Sequence, residues 1–599
     1  MIKLLKQYKP FVLLSIIIVI GALLRFYKLD WAQGLFTHPD EYHIVASVNQ
    51  LSFPTQMHPH FFSYGTVTIY LIYFTQEFLK YLSTTFNFQL STFNSFLLGR
   101  FYSALFSTLT ILIVYKICKS FLEKHFSLLA AFMCAITPGL IQQAHFATPE
   151  SALTFFLFGS LLFMIKFLKA HKNFYLILAS VFLGFALGVK ISSIVFLLPL
   201  AITIVLSFRA KRSGAEESHL PPIVEEDPSM RSFHSLGRDD INNSPFKYAF
   251  KVLLKFIGLI LISLIVTIST FALAAPYVFL DYPAFMSNLN YEGSLAIGKI
   301  PVFYTRQFID TIPVLFQIEK ILPYALGPAL LIFGVLGLVY FCIKVIKTIA
   351  SRKINNETMK QSNNLVLITI AFLSLFLPNA FLFAKWTRFI APTFPFFAIF
   401  VAFFLQRFEK SRIIFYSLSV ILLVGTTLWT TAFFSIYTTR DIRITASEWL
   451  ETYAKPGSTF LVEGGNMIDL PLRGNFPRTS LDFYALENDS LTRERIIDAL
   501  DSSDYFLVQS RRVFMNHQRL SNMFPKTANL YDNLFNGDLG FKQIKTFHSY
   551  PKLEIGNWKL EIPDEGAEET WSVFDHPVIR IFKKNAQLTR EGYARFLEL

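Results

Sequence analysis

Residues 61–82 read FFSYGTVTIYLIYFTQEFLKYL. The run is as long as the roughly 20 residues of helix that cross a hydrocarbon core. Whether it crosses sets the side of the membrane on which every later loop lies. Eleven other apolar runs are unambiguous: about 11–29, 96–117, 126–144, 151–168, 174–188, 191–208, 250–275, 323–346, 364–384, 389–406 and 412–436. Cytoplasmic loops carry an excess of Lys and Arg. With a cytoplasmic N-terminus and a non-crossing 61–82, each basic cluster falls inside: Lys116, Lys119 and Lys124; Lys166, Lys169 and Lys172; Arg209, Lys211 and Arg212; Lys344, Lys347, Arg352 and Lys353; Arg407, Lys410 and Arg412. If 61–82 crossed, these clusters would move outside while Lys3, Lys6 and Lys9 stayed in. The segment is therefore expected to be re-entrant or interfacial, which suits Phe61, Phe62, Tyr64, Tyr70, Tyr73 and Phe74.

Composition agrees with a membrane protein. The 599 residues are 53% hydrophobic and 16% charged, with mean hydropathy +0.43 and 67 phenylalanines. A soluble chain carries about 25% charged residues. The net charge of +13 does not point to nucleic acid, because the cations sit in short segments between apolar runs. Cys118, Cys134 and Cys342 lie in or beside those runs, so neither a disulfide framework nor a cysteine metal site is expected. The first run is expected to be an uncleaved anchor.

The expected fold is an α-helical polytopic membrane protein of about eleven transmembrane helices, with a small extracytoplasmic α/β domain at the C-terminus. Residues 1–436 form the membrane part and 437–599 the soluble part. Within 1–436 lie an external loop at 30–95, a Ser/Pro/Glu-rich cytoplasmic loop at 209–248 expected to be disordered, and an external loop at 276–322. Helix-like patterns cover Ile442–Tyr453 and 491–500. Strand-like ones cover 459–463, 505–509 and 578–582.

The chemistry-bearing residues gather at the predicted outer ends of the spans. Pro39 can begin a helix, with Asp40 and Glu41 in the first turn, where anions are favoured. Ile44, Val45, Val48 and Leu51 then form the apolar side of a helix along the membrane surface. A carboxylate so placed, partly desolvated beside the bilayer, can have its pKa raised enough to act as a base near neutral pH. A second acid at a proline turn, Glu150 after Pro149, repeats the format; each acid taken alone could be a helix cap. Arg25, Lys28, Arg100, Lys190, Lys385 and Arg388 are cations stranded at outer ends. Such cations can hold a lipid phosphate or simply snorkel to ordinary headgroups. His38, His43, His58, His60 and His145 also lie outside. With nearby acids they could form a metal site, but no pair stands at firm ligand spacing; no cofactor is expected to be required, and a divalent metal stays open as the alternative.

The series His38-Pro39-Asp40-Glu41, Gly99-Arg100-Phe101, Thr148-Pro149-Glu150, Leu187-Gly188-Val189-Lys190, Ala275-Pro276-Tyr277 through Asp281, and Arg388 with Pro392 and Pro395 resembles the GT-C glycosyltransferases. The resemblance is to their protein O-mannosyltransferase and lipid A aminoarabinose transferase branch, over residues 1 to about 436. Glu150 stands where relatives commonly have Asp, and 437–599 matches no sugar-binding module. The resemblance implies an integral plasma-membrane enzyme that moves a sugar from a polyprenyl-phosphate carrier to a protein, lipid or glycan acceptor on the outer face. It implies Asp40 as the base of an inverting displacement, with Glu41 and Glu150 orienting. Arg100, Lys190, Lys385 and Arg388 would hold the donor phosphate. His38, Tyr42, His43, His145, Tyr277 and Asp281 would line the pocket. A transporter or lipid flippase is the alternative, and it predicts ionisable residues midway along the spans.

Overall fold

The computed structural model describes residues 2–86, 94–217, 245–350, 356–464 and 468–597. The chain is a multi-pass membrane protein, mostly helical, with a sheet-containing C-terminal region. The membrane part begins with α1 (Ile2–Phe26), α2 (Pro39–Asn49), α3 (Val67–Phe86), α4 (Ser95–Cys118), α5 (Lys124–Ala135) and α6 (Pro138–Ala144). It continues with α7 (Glu150–Ala170), α8 (Asn173–Val189), α9 (Leu197–Glu217) and α10 (Pro245–Ala274). Short helices α11 (Tyr277–Leu280), α12 (Tyr282–Ala296) and α13 (Leu322–Leu326) lead into α14 (Pro328–Ala350) and α15 (Asn356–Phe381). Next come α16 (Thr387–Ile390), α17 (Phe394–Gln406) and α18 (Arg412–Thr438).

Among the described residues eight segments are long and apolar enough to cross a membrane, and the bent pair α5–α6 makes a ninth. Two shorter apolar helices, Pro10–Phe26 and Asn173–Val189, complete the positions of the eleven predicted runs. The bend of 54° between α5 and α6 falls at Pro138, which lacks an N–H. Carbonyls freed there find donors within the bundle. Arg25, fully buried, donates to Ala135 O at 2.7 Å and Cys134 O at 3.1 Å, and the Thr430 hydroxyl donates to Ile136 O at 2.5 Å. Arg25 is thus a structural cap on a broken helix.

Helix α3 is not among the candidate spans. It packs on α2, and the apolar side of α2 (Ile44 and Val48), with Leu51 just past its end, is buried against Tyr64, Ile69, Ile72 and Leu98 rather than left to lipid. Of the loop predicted at 209–248, residues 209–217 and 245–248 continue helices α9 and α10, and 218–244 lie outside the described residues.

After α18 the chain forms α19 (Ile442–Tyr453), β1 (Phe460–Glu463), β2 (Arg478–Leu481), α20 (Ser490–Ser502) and β3 (Tyr505–Val508). Strands β4 (Phe541–Phe547), β5 (Lys552–Ile555), β6 (Trp558–Glu561) and β7 (Ile579–Lys584) follow. The main sheet has the order β2-β1-β3-β7-β4, parallel across β2, β1 and β3 and antiparallel on either side of β7. Side chains alternate faces. Leu461, Phe506 and Phe582 enter one core, while Phe460, Val462, Leu507 and Ile581 enter the other. Both faces are therefore covered. Between β6 and β7, residues 564–577 leave the sheet and dock on the bundle, where Ala567, Trp571, Val573 and Phe574 join the membrane core.

That docking segment carries a buried cation. His576 is fully buried between Asp564 at 2.7 Å and Asp575 at 2.5 Å. Burial alone pushes its pKa down, but the two carboxylates outweigh burial and hold it up at about 10. A raised folded-state pKa contributes stability that is fully present below the unfolded value, about 6.5, and is lost as pH rises through about 10. The melting temperature of the purified protein is therefore expected to fall between pH 7 and pH 10. His576→Gln should flatten that slope. An unchanged slope would show that His576 is not the group lost.

Candidate active site

Four helix ends meet around Asp40. His38, in extended conformation, caps α2: its Nδ1 accepts the Asp40 N–H at 3.2 Å. His38 is 6% exposed, packed between the rings of Phe146 and Phe574. Asp40 Oδ2 accepts the Tyr64 hydroxyl at 2.5 Å and is ion-paired with the Arg388 guanidinium, which also donates to Tyr64 Oη at 2.9 Å. Tyr64 reaches this position because the backbone beside it passes against the end of α8. Gly65 N–H donates to Val189 O at 2.9 Å, and a Cβ on Gly65 would lie 2.0 Å from Gly188 O. Only glycine permits that approach.

The same crossing delivers Lys190, next after Val189. Its ammonium meets Glu150 Oε1 at 3.2 Å and lies 4.9 Å from the Phe389 ring centre and 5.5 Å from that of Tyr64. Glu150 begins α7, is 1% exposed, and its Oε2 has no hydrogen-bond partner. Asp40, Tyr64, Glu150, Lys190 and Arg388 thus form one electrostatic cluster. Asp40 and Arg388 remain about one-fifth exposed.

The charge state of Asp40 reverses the expectation. Burial pushes its pKa up, as predicted, but Arg388, then His38 and the Tyr64 hydroxyl, outweigh burial and hold it at about 2. The Tyr64 phenol is pushed well above its ordinary value, first by burial and then by Asp40 and Glu150, against the lowering effect of Arg388.

Several predicted site residues lie elsewhere. Glu41 and Arg100 are both fully buried and bound to each other twice, Nε to Oε1 at 2.8 Å and Nη2 to Oε2 at 3.0 Å. Glu41 Oε1 also accepts the Ala147 N–H at 2.7 Å. Arg100 also donates to Leu29 O at 2.7 Å and to Thr37 Oγ1 at 3.3 Å. The pair locks α2 to α4 and to the turn before α7. With its guanidinium so engaged, Arg100 does not face an open phosphate site, and Glu41 does not face an acceptor. His145 stacks on Tyr437 with ring centres 3.7 Å apart, and its nitrogens meet Ile141 O and Tyr27 O. Burial pushes its pKa down to about 4, so it is a neutral core residue rather than a pocket lining. Lys385 is turned away from Asp40, donating to Thr311 Oγ1 at 3.1 Å and Phe383 O at 3.0 Å. Tyr42 is 59% exposed beside Phe36, and His43 stacks on Phe61. Tyr277 and Asp281 form a separate group with His58. Asp281 caps α12 and meets His58 Nε2 at 3.0 Å, while Tyr277 lies against the His58 ring.

His38, His43, His58, His60 and His145 do not join a group of three or more close metal ligands among the described residues. The group with suitably close ligand atoms there is Glu123, His125 and Glu409, all exposed at the opposite end of the bundle. Tyr64, missed as a site residue, carries one local signal, the glycine that follows it.

Residues 79–220, the stretch that carries Arg100, Glu150 and Lys190, match the model of the dolichyl-phosphate-mannose-protein mannosyltransferase family. No curated protein matches the chain in sequence. Among solved structures, the Archaeoglobus fulgidus oligosaccharyltransferase tethered with an acceptor peptide is 16% identical, with TM-score 0.49; the alignment covers 93% of this chain and 76% of that one. ArnT from Cupriavidus metallidurans in the apo state is 13% identical, with TM-score 0.43 and coverage of 83% and 91%. The similarity to the dolichyl-phosphate-mannose-protein mannosyltransferase family thus covers residues 79–220, and that segment holds Glu150 and Lys190, one side of the Asp40 cluster.

Proposed function

We propose that the protein transfers a sugar from a polyprenyl-phosphate carrier to an acceptor on the outer face of the membrane, by a single inverting displacement with Asp40 as general base. The observation that carries this reading is the Asp40–Arg388 pair, set at exposed helix ends beside Lys190. Opposite helix ends hold the lysine and arginine clusters, which supports an outward-facing site and a cytoplasmic N-terminus. The ionisable cluster lies at the ends of the spans, unlike the midway charges of a transporter or flippase.

In the reaction an acceptor hydroxyl oxygen forms a bond to the anomeric carbon as the bond from that carbon to the phosphate oxygen breaks. The bonding pair leaves with the carrier phosphate, and the hydroxyl proton passes to Asp40. The phosphate goes from diester to monoester and gains negative charge, which Arg388 and Lys190 stabilise as it develops. Glu150 holds Lys190 in place. Tyr277, Asp281 and His58 border the carrier side, and Tyr42 and His43 the membrane surface.

At rest Arg388 is occupied by Asp40. A donor phosphate competes for that guanidinium. As Arg388 turns to the phosphate, Asp40 keeps its burial but loses its strongest counter-charge, so its pKa rises and it becomes a better base. The profile of kcat/KM reports the free enzyme and that of kcat the bound complex. The acid limb of kcat is therefore expected at higher pH than the acid limb of kcat/KM. Coincident limbs would mean that Arg388 does not leave Asp40.

The direct test presents the reconstituted protein with a panel of radiolabelled polyprenyl-phosphate sugars and with peptide, lipid and glycan acceptors. Label moving from carrier to one acceptor class supports the reading. Failure to bind any carrier overturns it.

A further inference from the structure

The two halves of the Asp40–Arg388 pair lie 348 positions apart in sequence, yet one segment of the C-terminal region braces both. Glu568 is 1% exposed, and its carboxylate meets the residue that precedes Arg388. Oε2 accepts Thr387 N–H at 3.1 Å and Thr387 Oγ1 at 2.9 Å. Oε1 accepts Gln307 Nε2 at 2.9 Å, and the Glu568 N–H donates to Lys320 O at 2.8 Å. Six positions on, Phe574 lies with its ring centre 4.3 Å from that of His38, the residue that caps the Asp40 helix. The segment itself is anchored on the bundle. Gln142 Nε2 donates to Trp571 O at 2.7 Å and to Asp575 Oδ2 at 3.0 Å, and Tyr437 donates to Asp575 at 3.0 Å.

We propose that residues 564–577 act as a positioning strap for the base, with Glu568 fixing the backbone from which Arg388 reaches Asp40 and Phe574 fixing the cap from which Asp40 projects. The C-terminal region is then part of the transfer machinery without touching the sugar. This rests on the proposed role of Asp40. Without the Glu568 carboxylate the two Thr387 donors lose their acceptor. The start of the Thr387–Gln406 span can then drift, and a displacement of about 1 Å at a reacting group costs about 10²-fold in rate.

Loosening Arg388 also alters the titration of Asp40. Asp40 is faced by Arg388, His38, Tyr64 and Lys190, with Glu41 and Glu150 behind them. Of these Arg388 lowers its pKa most. A displaced Arg388 lets the acid limb of kcat/KM move to higher pH. Arg511 and Arg512, which face Glu568 from the sheet side, lie beyond the strap and leave this limb in place.

The test uses the full-length protein in vesicles with the carrier sugar that turns over. Glu568→Ala is expected to lower kcat by about 10²-fold, with donor KM within about threefold, and to raise the acid limb of kcat/KM. Glu568→Gln, which keeps a carbonyl oxygen for Thr387, should recover most of the rate. Glu568→Ala should add little to Arg388→Ala, because both act through one group. Phe574→Ala should lower kcat in the same direction. Unchanged kcat in Glu568→Ala overturns the proposal. So does a loss of kcat that follows a lowered melting temperature with the acid limb unmoved, or one that is additive with Arg388→Ala. Asp40→Asn run beside these separates the two claims. If it is inactive while Glu568→Ala behaves as wild type, the strap alone fails; if it is fully active, Asp40 is not the base, whatever the strap does.

Discussion

Asp40→Asn is expected to leave carrier binding in place and to lower sugar transfer by about 10²–10⁴-fold, the contribution of a positioned general base. Asn preserves the shape of the side chain and can still accept from Tyr64, but it cannot take a proton at the pH of the reaction. It also frees Arg388, which is paired with Asp40 in the wild type. The donor KM should therefore stay level or fall, since phosphate no longer competes with a carboxylate for the guanidinium. That split between kcat and KM distinguishes loss of the base from collapse of the site, which would raise KM as well. Equal transfer by variant and wild type would move the base to another group, with Glu150 next in the cluster.

Arg100→Ala is expected to have the largest effect on stability, about 3–5 kcal/mol. The change leaves the fully buried Glu41 carboxylate with the Ala147 N–H as its remaining hydrogen-bond donor among the described residues. An unpaired buried charge costs far more than the intact pair contributes. It also removes the guanidinium that fills the space over the Phe96 ring, 4.1 Å away. Unfolding of purified protein in graded denaturant checks this. The double variant Glu41→Gln with Arg100→Met should recover much of the loss, because both charges go together. A mild effect of Arg100→Ala alone would show that Glu41 finds water or another donor.

How much of this was legible in the sequence depends on the range of the interaction. The spans were legible because lipid offers the backbone no hydrogen bonds, so each crossing must be an uninterrupted apolar helix of known length. The reading of 61–82 rested on charges outside it, since its own length alone would allow a span. In the C-terminal region Ile442–Tyr453 and the apolar strands β1, β3 and β7 were legible from local pattern. The exposed edge strand β2 and the charge-rich β4 were not, because neither shows a continuous apolar run.

The site divides in the same way. Asp40, Glu150, Lys190 and Arg388 stood out as charges at apolar helix ends, and they do converge. Arg100 and Glu41 gave the same signal for a different reason. A stranded cation reads alike in sequence whether it awaits a phosphate or already holds a buried carboxylate 59 positions away. The lowered pKa of Asp40 was not legible, because its decisive partner is 348 positions distant. Glu568 and Phe574 carry no local mark at all. Their meaning lies in where the polypeptide between β6 and β7 returns to the bundle.

The stereochemistry of transfer tests the central claim most directly. With the carrier sugar that turns over, the anomeric configuration of the first product can be read by NMR before any secondary hydrolysis. One displacement with Asp40 as base predicts inversion: a β-linked carrier sugar gives an α-linked product. A product that retains the carrier's configuration would require two displacements through a covalent sugar–enzyme intermediate, and would contradict the account given for Asp40.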